Sequence, residues 1–141
     1  MKLGQALTLT FAIFMLVNSS SGYAQEVFRA RLSPMPTTPQ TVNDILGEGE
    51  VLLTLTDQRL EVAGHFTGMS SAATSAHLHN GPPAQPGPVV QVLEIDAATD
   101  GEIRATLELT DEQLTALRNN VLYIQVHSET NAAGELRGWI F

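Results

Sequence analysis

The chain has 141 residues, no cysteine and a formal net charge of −8. This length suits one domain with a single buried core. The absence of cysteine excludes disulfide bonds, thiol nucleophiles and cysteine-ligated metal centres. Seven basic residues against fifteen acidic residues argue against a nucleic-acid partner, because phosphate binding requires clustered basic side chains.

The N-terminal segment has the order of a secretory signal peptide. Lysine in the second position supplies a basic start, residues 6–17 form an apolar run, and Gly22 and Ala24 supply small residues before a cleavage site. We therefore predict a signal peptide over residues 1–24, a domain over residues 25–141, and a periplasmic or secreted protein that is not membrane-bound after cleavage. The alternative is an uncleaved anchor, although the apolar run is shorter than the ~20 residues of a membrane span.

The rest of the chain consists mainly of short segments in which apolar and polar residues alternate, the pattern of half-buried strands. Turn-forming residues separate these segments, including the proline-rich stretch 80–88. In chain order the predicted strands are residues 26–32, 47–55, 60–66, 76–79, 89–93, 102–109, 121–127 and 135–140.

One helix is predicted, over residues 110–119. Thr110 is placed to cap its first turn, and Gln113 three residues later completes a capping box. Leu114 and Leu117 would then face inward. Short strands with turn signals between them, together with this one helix, predict an all-β protein, an antiparallel β-sandwich.

Three of the four histidines occupy matching positions on two predicted strands. His77 and His79 are two residues apart, so in a strand their side chains point to the same face. On the strand 121–127, Leu122, Ile124 and Val126 form the apolar face. His127 lies on the opposite, polar face with Tyr123 and Gln125. If the two strands are close together, the three imidazoles converge on one point.

Three convergent imidazoles are a candidate metal site. Neutral imidazole binds zinc and copper, and three such ligands leave a coordination position open for water or substrate. Copper binds such sites more tightly than zinc, so copper is the preferred ion and zinc the second choice. The alternative is that His77, His79 and His127 are separate surface histidines.

Other polar residues have simpler interpretations. His65 lies on the outward face of its strand, either as a solvated side chain or as a fourth ligand. Glu135 and Arg137 share an outward face of the last strand, which predicts an ion pair. The sharper alternative for Arg137 is a role beside the metal or in attracting anions. The Tyr123 hydroxyl either supports a metal site or packs against a neighbouring strand.

Four segments in this order resemble the CHRD domain, which is named after chordin and is common in exported bacterial proteins. They are FTGM at 66–69, AHLHNGP at 76–82, LYIQVHS at 122–128 and GELRG at 134–138. The resemblance extends over residues 26–140. It implies a fold and a candidate site more readily than a reaction.

A more distant resemblance is to Cu,Zn superoxide dismutase, a Greek-key β-sandwich. An H-x-H pair on one strand and a later strand ending in V-H supply copper ligands in that enzyme, and His77, His79 and His127 match those positions. The likeness implies a superoxide-dismutase-like fold and a copper site. It does not extend to the zinc-bridging histidine, the zinc-ligand loop or the disulfide of that enzyme.

Two functions compete at this point. One is an exported copper-binding sandwich that handles metal or carries out redox chemistry. The other is a non-catalytic extracellular binding or matrix module. The sequence contains no paired-carboxylate motif, nucleophile elbow or phosphate-binding loop, so it leaves open whether the protein is an enzyme. It identifies a metal ion as a partner and no particular protein.

Overall fold

The structure is a computed structural model that describes residue 22 and residues 24–141. The predicted signal peptide, residues 1–24, lies outside the described residues except for Gly22 and Ala24. The described part contains eight strands and one helix. They are β1 (Gln25–Pro34), β2 (Glu48–Thr56), β3 (Arg59–Thr67), β4 (Ala73–Asn80), β5 (Val89–Ile95), β6 (Gly101–Glu108), α1 (Asp111–Arg118), β7 (Leu122–Ser128) and β8 (Leu136–Trp139).

The strands form one closed antiparallel barrel in the order β1-β2-β3-β6-β5-β4-β7-β8. Consecutive strands are neighbours except after β3 and β6, where the chain crosses to a strand further round the barrel. Closure is made by β1, which pairs with β2 on one side and with β8 on the other. The predicted all-β, antiparallel architecture with one short helix is confirmed, but its strands close into a barrel where a sandwich of two sheets was predicted.

The barrel interior is filled by the apolar face of each strand. Val51, Leu53, Leu60, Ile103 and Ile124 are among the side chains excluded from solvent. Because successive residues of a strand point to opposite faces, these positions place the intervening residues on the outside of the barrel. The outer face of β4 and β7 therefore carries the histidine pair and His127.

Helix α1 begins as the sequence predicts. The Gln113 backbone N–H donates to the Thr110 hydroxyl at 3.2 Å, and the Thr110 N–H donates to the Gln113 side-chain oxygen at 3.1 Å. Leu114 and Leu117 are buried against the core. The helix thereby joins β6 to β7 and fixes where β7, with its histidine, starts.

No helix among the described residues is both long enough and apolar enough to cross a membrane.

Candidate functional site

The register of β4 and β7 brings the histidines together. His77 pairs with Gln125, His79 with Tyr123, and Ser75 with His127. His127 is therefore the diagonal neighbour of His77, a spacing that large side chains on one sheet face can bridge. On its other side β4 shifts register against β5 between Leu78 and His79, an irregularity of the kind that re-aims side chains next to functional sites.

The three imidazole rings converge on the outside of the barrel. The ring centroids of His77 and His127 are 5.1 Å apart, and those of His77 and His79 are 5.9 Å apart. His77 Nδ1 lies 3.2 Å from His127 Nε2. One nitrogen from each of the three residues lies within 4.8 Å of the others. Bonds of about 2.0–2.1 Å to one ion require nitrogen separations of about 3–4 Å, so the wider separations would shorten on metal binding.

Two backbone carbonyls determine which nitrogens are free. His79 Nδ1 lies 2.9 Å from the Gly87 carbonyl oxygen, and His127 Nδ1 lies 2.9 Å from that of Ala132. A carbonyl can only accept, so each Nδ1 carries its hydrogen and each Nε2 presents a lone pair. Metal-binding histidines usually have their second nitrogen held in this way.

The Nε2 atom of His79 supports the same interpretation. It is buried and has no hydrogen-bond partner among the described residues. Buried polar atoms are seldom left without a hydrogen-bond partner, because an unpaired one destabilises the fold. An ion between His79, His77 and His127 would satisfy it, so the donor set fits a metal.

The surroundings of His77 and His79 favour the neutral forms of these two side chains. Burial lowers the pKa of His77, and the nearby His127 and His79 lower it further. Burial also lowers the pKa of His79; the Gly87 carbonyl opposes this, while His127 and Arg137 add to it. Imidazole must be deprotonated to bind a metal, so these shifts prepare the site for one.

Tyr123 lies directly beneath His79. The two rings are stacked, with centroids 4.8 Å apart and planes 9° apart. The Tyr123 hydroxyl accepts the Gly87 N–H at 3.0 Å, so the tyrosine holds the same residue whose carbonyl orients His79. Tyr123 is only 1% exposed, which shows that the strand face is covered at this position.

Arg137 and Glu135 do not form the ion pair that the sequence predicts. Arg137 instead donates from Nε and Nη2 to the Gln125 side-chain oxygen, at 2.8 and 2.6 Å. Glu135 precedes β8, is completely buried, and accepts the backbone N–H groups of Ser70 at 2.7 Å and Leu46 at 3.1 Å. The prediction was wrong because β8 begins only at Leu136, so strand alternation does not apply to Glu135.

His65 lies apart from the other histidines. It is on the outer face of β3, between Glu50 of β2 and Glu102 of β6 in the register. An open cleft of about 470 Å³ there is lined by Arg29, Arg31, Glu48, Gly49, Glu50, His65 and Thr67. The sequence allowed His65 to be either a solvated side chain or a fourth metal ligand. Its position fits the solvated side chain, because the cluster of His77, His79 and His127 does not include it.

The family model described as "CHRD domain" matches residues 28–140. The chain belongs to the CHRD family. The match covers β1 from residue 28 onward, the other seven strands, the helix and the three clustered histidines. Comparison with curated proteins gives no match, and comparison with solved structures gives none either. The likeness to Cu,Zn superoxide dismutase therefore stays a prediction.

Several residues that shape this CHRD site were not predicted from the sequence. The carbonyls of Gly87 and Ala132 orient two ligands, Gln125 anchors Arg137, and the Trp139 indole N–H donates to the Gly81 carbonyl at 2.9 Å. The available signal was the rigid proline-rich loop directly after the H-x-H pair. Every residue has a backbone carbonyl, so the sequence does not indicate which carbonyls orient the histidines, and only the structure identifies them.

Chemically, the CHRD site offers three imidazole nitrogen donors on the outer face of two neighbouring strands. Three protein ligands leave coordination positions open to solvent or substrate. Such a set suits binding, exchange or redox cycling of a metal ion.

Proposed function

We propose that this CHRD domain binds one copper ion through His77, His79 and His127. The observation that carries the proposal is the convergence of three ring nitrogens within 4.8 Å, two of them oriented by backbone carbonyls. Copper is preferred to zinc because it stands above zinc in the affinity order of nitrogen ligands for divalent ions. The proposed function is metal handling. A redox reaction at the bound copper would make the protein an enzyme as well.

Calorimetric titration of the metal-free protein with Cu(II), and with Cu(I) under reducing conditions, tests this proposal. We expect one ion per chain in the wild type and loss of that uptake in the double variant His77→Ala/His79→Ala. His65→Ala is the matched control, because it removes a histidine on a strand that does not neighbour β4 or β7. Equal uptake by the wild type and the double variant would contradict the proposal and favour the non-catalytic binding or matrix module.

The redox extension needs its own measurement. A dismutase-like activity requires that the copper-loaded protein remove superoxide faster than the same concentration of free copper. Equal rates would restrict the function to binding and transfer of the ion.

We also propose that the domain acts after export, as a periplasmic or secreted protein that begins at Gln25. Strand β1 starts at Gln25, directly after the predicted cleavage position, and the family match starts at residue 28. Intact mass measurement on the exported protein is expected to give a chain that lacks residues 1–24. A chain that retains them would favour the uncleaved anchor.

We infer that the barrel has the Greek-key topology expected of a superoxide-dismutase-like fold. After the neighbours β4, β5 and β6, the chain returns so that β7 pairs with β4, which is the arrangement that defines this motif. An experimental structure in which β7 pairs with β6 would contradict this inference.

A further inference from the structure

One row of ring side chains crosses the outer face of three strands and starts at the histidine cluster. His79 on β4 lies directly opposite Tyr123 on β7, and Tyr123 lies directly opposite Trp139 on β8. The ring centroids are 4.8 Å apart in the first pair and 5.0 Å apart in the second. Ring side chains at these separations are in contact. The row therefore forms an unbroken path of π-systems that begins at a candidate metal ligand.

The two aromatic residues of this row are also the most easily oxidised side chains near the cluster. In a protein without cysteine, tyrosine and tryptophan give up a single electron most readily. Residues 24–141 contain one of each, Tyr123 and Trp139. Tyr123 is 1% exposed, whereas Trp139 is partly exposed. An electron vacancy in this row therefore reaches the protein surface at Trp139.

The surroundings of the two rings determine which of them keeps the vacancy. The Arg137 guanidinium lies over both rings, with Cζ 5.0 Å from the Tyr123 centroid and 5.8 Å from that of Trp139. A cation this close disfavours a positive charge on either ring, so a ring must release a proton with its electron. The buried Tyr123 hydroxyl faces the Gly87 carbonyl at 3.3 Å, which accepts a hydrogen bond but is not a base. Partly exposed Trp139 can release its proton to water.

The chemistry of copper creates a need for such a path. Copper transfers one electron at a time, whereas the reduction of a peroxide consumes two electrons. When Cu(I) supplies one of them, the second must come from the protein or from a reductant in solution. The imidazole ligands lie closest to the ion and are therefore the first groups at risk. A ring in contact with a ligand, and more easily oxidised than imidazole, protects the ligands by supplying the electron instead.

We propose that Tyr123 and Trp139 conduct this second electron to the histidine cluster, and so divert oxidative damage from the copper ligands to the protein surface. The inference rests on the proposed function. One electron from Cu(I), one electron from Trp139 and the indole proton together reduce hydrogen peroxide to one hydroxide ion and one water molecule. The protein is left with Cu(II) and a neutral indole radical. A reductant in solution, such as ascorbate, returns an electron and a proton to the indole.

Reaction of the Cu(I)-loaded protein with one equivalent of hydrogen peroxide, without dioxygen, tests this proposal. Excess ethanol removes hydroxyl radicals that escape into solution. Rapid-freeze electron paramagnetic resonance detects the organic radical, and mass spectrometry of the peptides locates added oxygen. We expect an indole radical, and added oxygen mainly on Trp139 with little on His77, His79 and His127. Oxidation confined to the histidines would overturn the proposal.

Tyr123→Phe interrupts the path without removing the ring between His79 and Trp139, because phenylalanine is not oxidised under these conditions. We expect oxidation of Trp139 to fall in this variant and oxidation of the histidines to rise in its place. Trp139→Phe removes the end of the path and should also raise oxidation of the histidines. Equal oxidation of Trp139 in the wild type and in folded, copper-loaded Tyr123→Phe would contradict the path.

A matched control moves the indole out of the row. In the double variant Trp139→Phe/Phe141→Trp, the indole occupies a position that is 63% exposed and whose backbone pairs with Arg29 on β1. Although this position is more exposed than that of Trp139, the moved indole should be oxidised less. Oxidation there as strong as at Trp139 in the wild type would assign the damage to radicals in solution and overturn the proposal.

Copper uptake and the far-ultraviolet circular dichroism spectrum are measured first for every variant. Absence of uptake by the wild type would overturn the proposed function and this inference with it. Copper uptake by the wild type with no difference in histidine oxidation between it and Trp139→Phe would overturn this inference alone. That comparison also decides the question if Tyr123→Phe does not fold or does not bind copper.

Discussion

The Nδ1 atom of His77 faces the Nε2 atom of His127 across 3.2 Å. Because the Ala132 carbonyl keeps the hydrogen of His127 on Nδ1, His127 Nε2 can only accept. In the metal-free protein His77 therefore donates from Nδ1 to His127. The two nitrogens that would bind one ion are joined by a single proton until the ion arrives.

This relationship predicts a change of tautomer. We expect His77 to carry its hydrogen on Nδ1 without metal and on Nε2 when an ion occupies the cluster. His79 and His127 should keep theirs on Nδ1, held by the carbonyls of Gly87 and Ala132. Nitrogen-15 NMR of the imidazoles, with and without a diamagnetic ion such as Cu(I) or Zn(II), measures the change. An unchanged His77 tautomer would place the ion elsewhere.

Acidification is expected to destabilise the metal-free protein. Burial and then the neighbouring His127 and His79 hold the pKa of His77 below the ordinary value of about 6.5, and burial does the same for His79. Just below pH 6.5 the unfolded chain therefore binds more protons than the folded chain. The free energy of unfolding then falls as the pH decreases through this range.

Urea unfolding at pH 7.5 and pH 5.5 measures this dependence. The double variant His77→Ala/His79→Ala should lose much less stability between the two pH values, since it lacks both groups. His65→Ala should retain the wild-type dependence. The same slope in all three proteins would assign the pH effect to other residues.

Gly87 is expected to be essential to the site although it carries no side chain. A Cβ atom there would overlap the Asn80 carbonyl oxygen, so Gly87→Ala must displace the loop. That displacement separates the Gly87 carbonyl from His79 and the Gly87 N–H from Tyr123. We expect metal affinity to fall by about ten- to a hundredfold, as for other residues that orient a ligand.

Ala84 offers a control in the same loop. Its φ of 67° lies in the left-handed region, which glycine adopts more easily than alanine. Ala84→Gly should leave metal affinity unchanged and alter stability by no more than about 2 kcal/mol. If both loop variants bind metal as the wild type does, the carbonyl of Gly87 has no part in orienting His79.

Glu135 is expected to stabilise the fold through a buried carboxylate. Burial raises its pKa, but the Ser128 hydroxyl and the N–H groups of Ser70 and Leu46 outweigh this, and the pKa lies below its ordinary value. Glu135→Ala leaves two donors unpaired, at a cost of about 1–3 kcal/mol each. Glu135→Gln keeps an oxygen acceptor and should cost less.

The pH dependence distinguishes these variants. A lowered carboxyl pKa contributes stability that is present above the unfolded value, about 4.3, and is lost as the pH falls through the folded value. Chemical unfolding between pH 6 and pH 3 should therefore show a steeper loss in the wild type than in Glu135→Gln. Glu61→Ala, an exposed carboxylate on β3, should change stability by less than about 0.5 kcal/mol.

Strand alternation was sufficient to predict the outward face of His77, His79 and His127, because side-chain direction in a strand depends only on sequence spacing. It could not predict that this face is partly buried. Tyr123 and Gln125 are 1% and 5% exposed because the loops after β4 and β7 pack over them, and loop paths depend on contacts distant in sequence.

The closure of the barrel also could not be predicted from the sequence. The β1–β8 ladder contains only two paired positions, Ser33 with Arg137 and Pro34 with Leu136, plus the bridge between Ala30 and Ile140. Nothing in the residue pattern of β1 indicates which strand will lie on its second edge. The burial of Glu135 was equally unpredictable from the sequence, because the backbone N–H groups that its carboxylate accepts come from two loops distant in the chain.

The position of Trp139 gives the protein a built-in optical reporter. It is the single tryptophan of the chain, and its ring centroid lies 5.0 Å from that of Tyr123, which in turn is stacked on His79. Paramagnetic ions quench indole emission at short range, so arrival and departure of Cu(II) can be followed without any attached dye. A single fluorescence trace would then time both the filling of the cluster and the unfolding of the strands that build it.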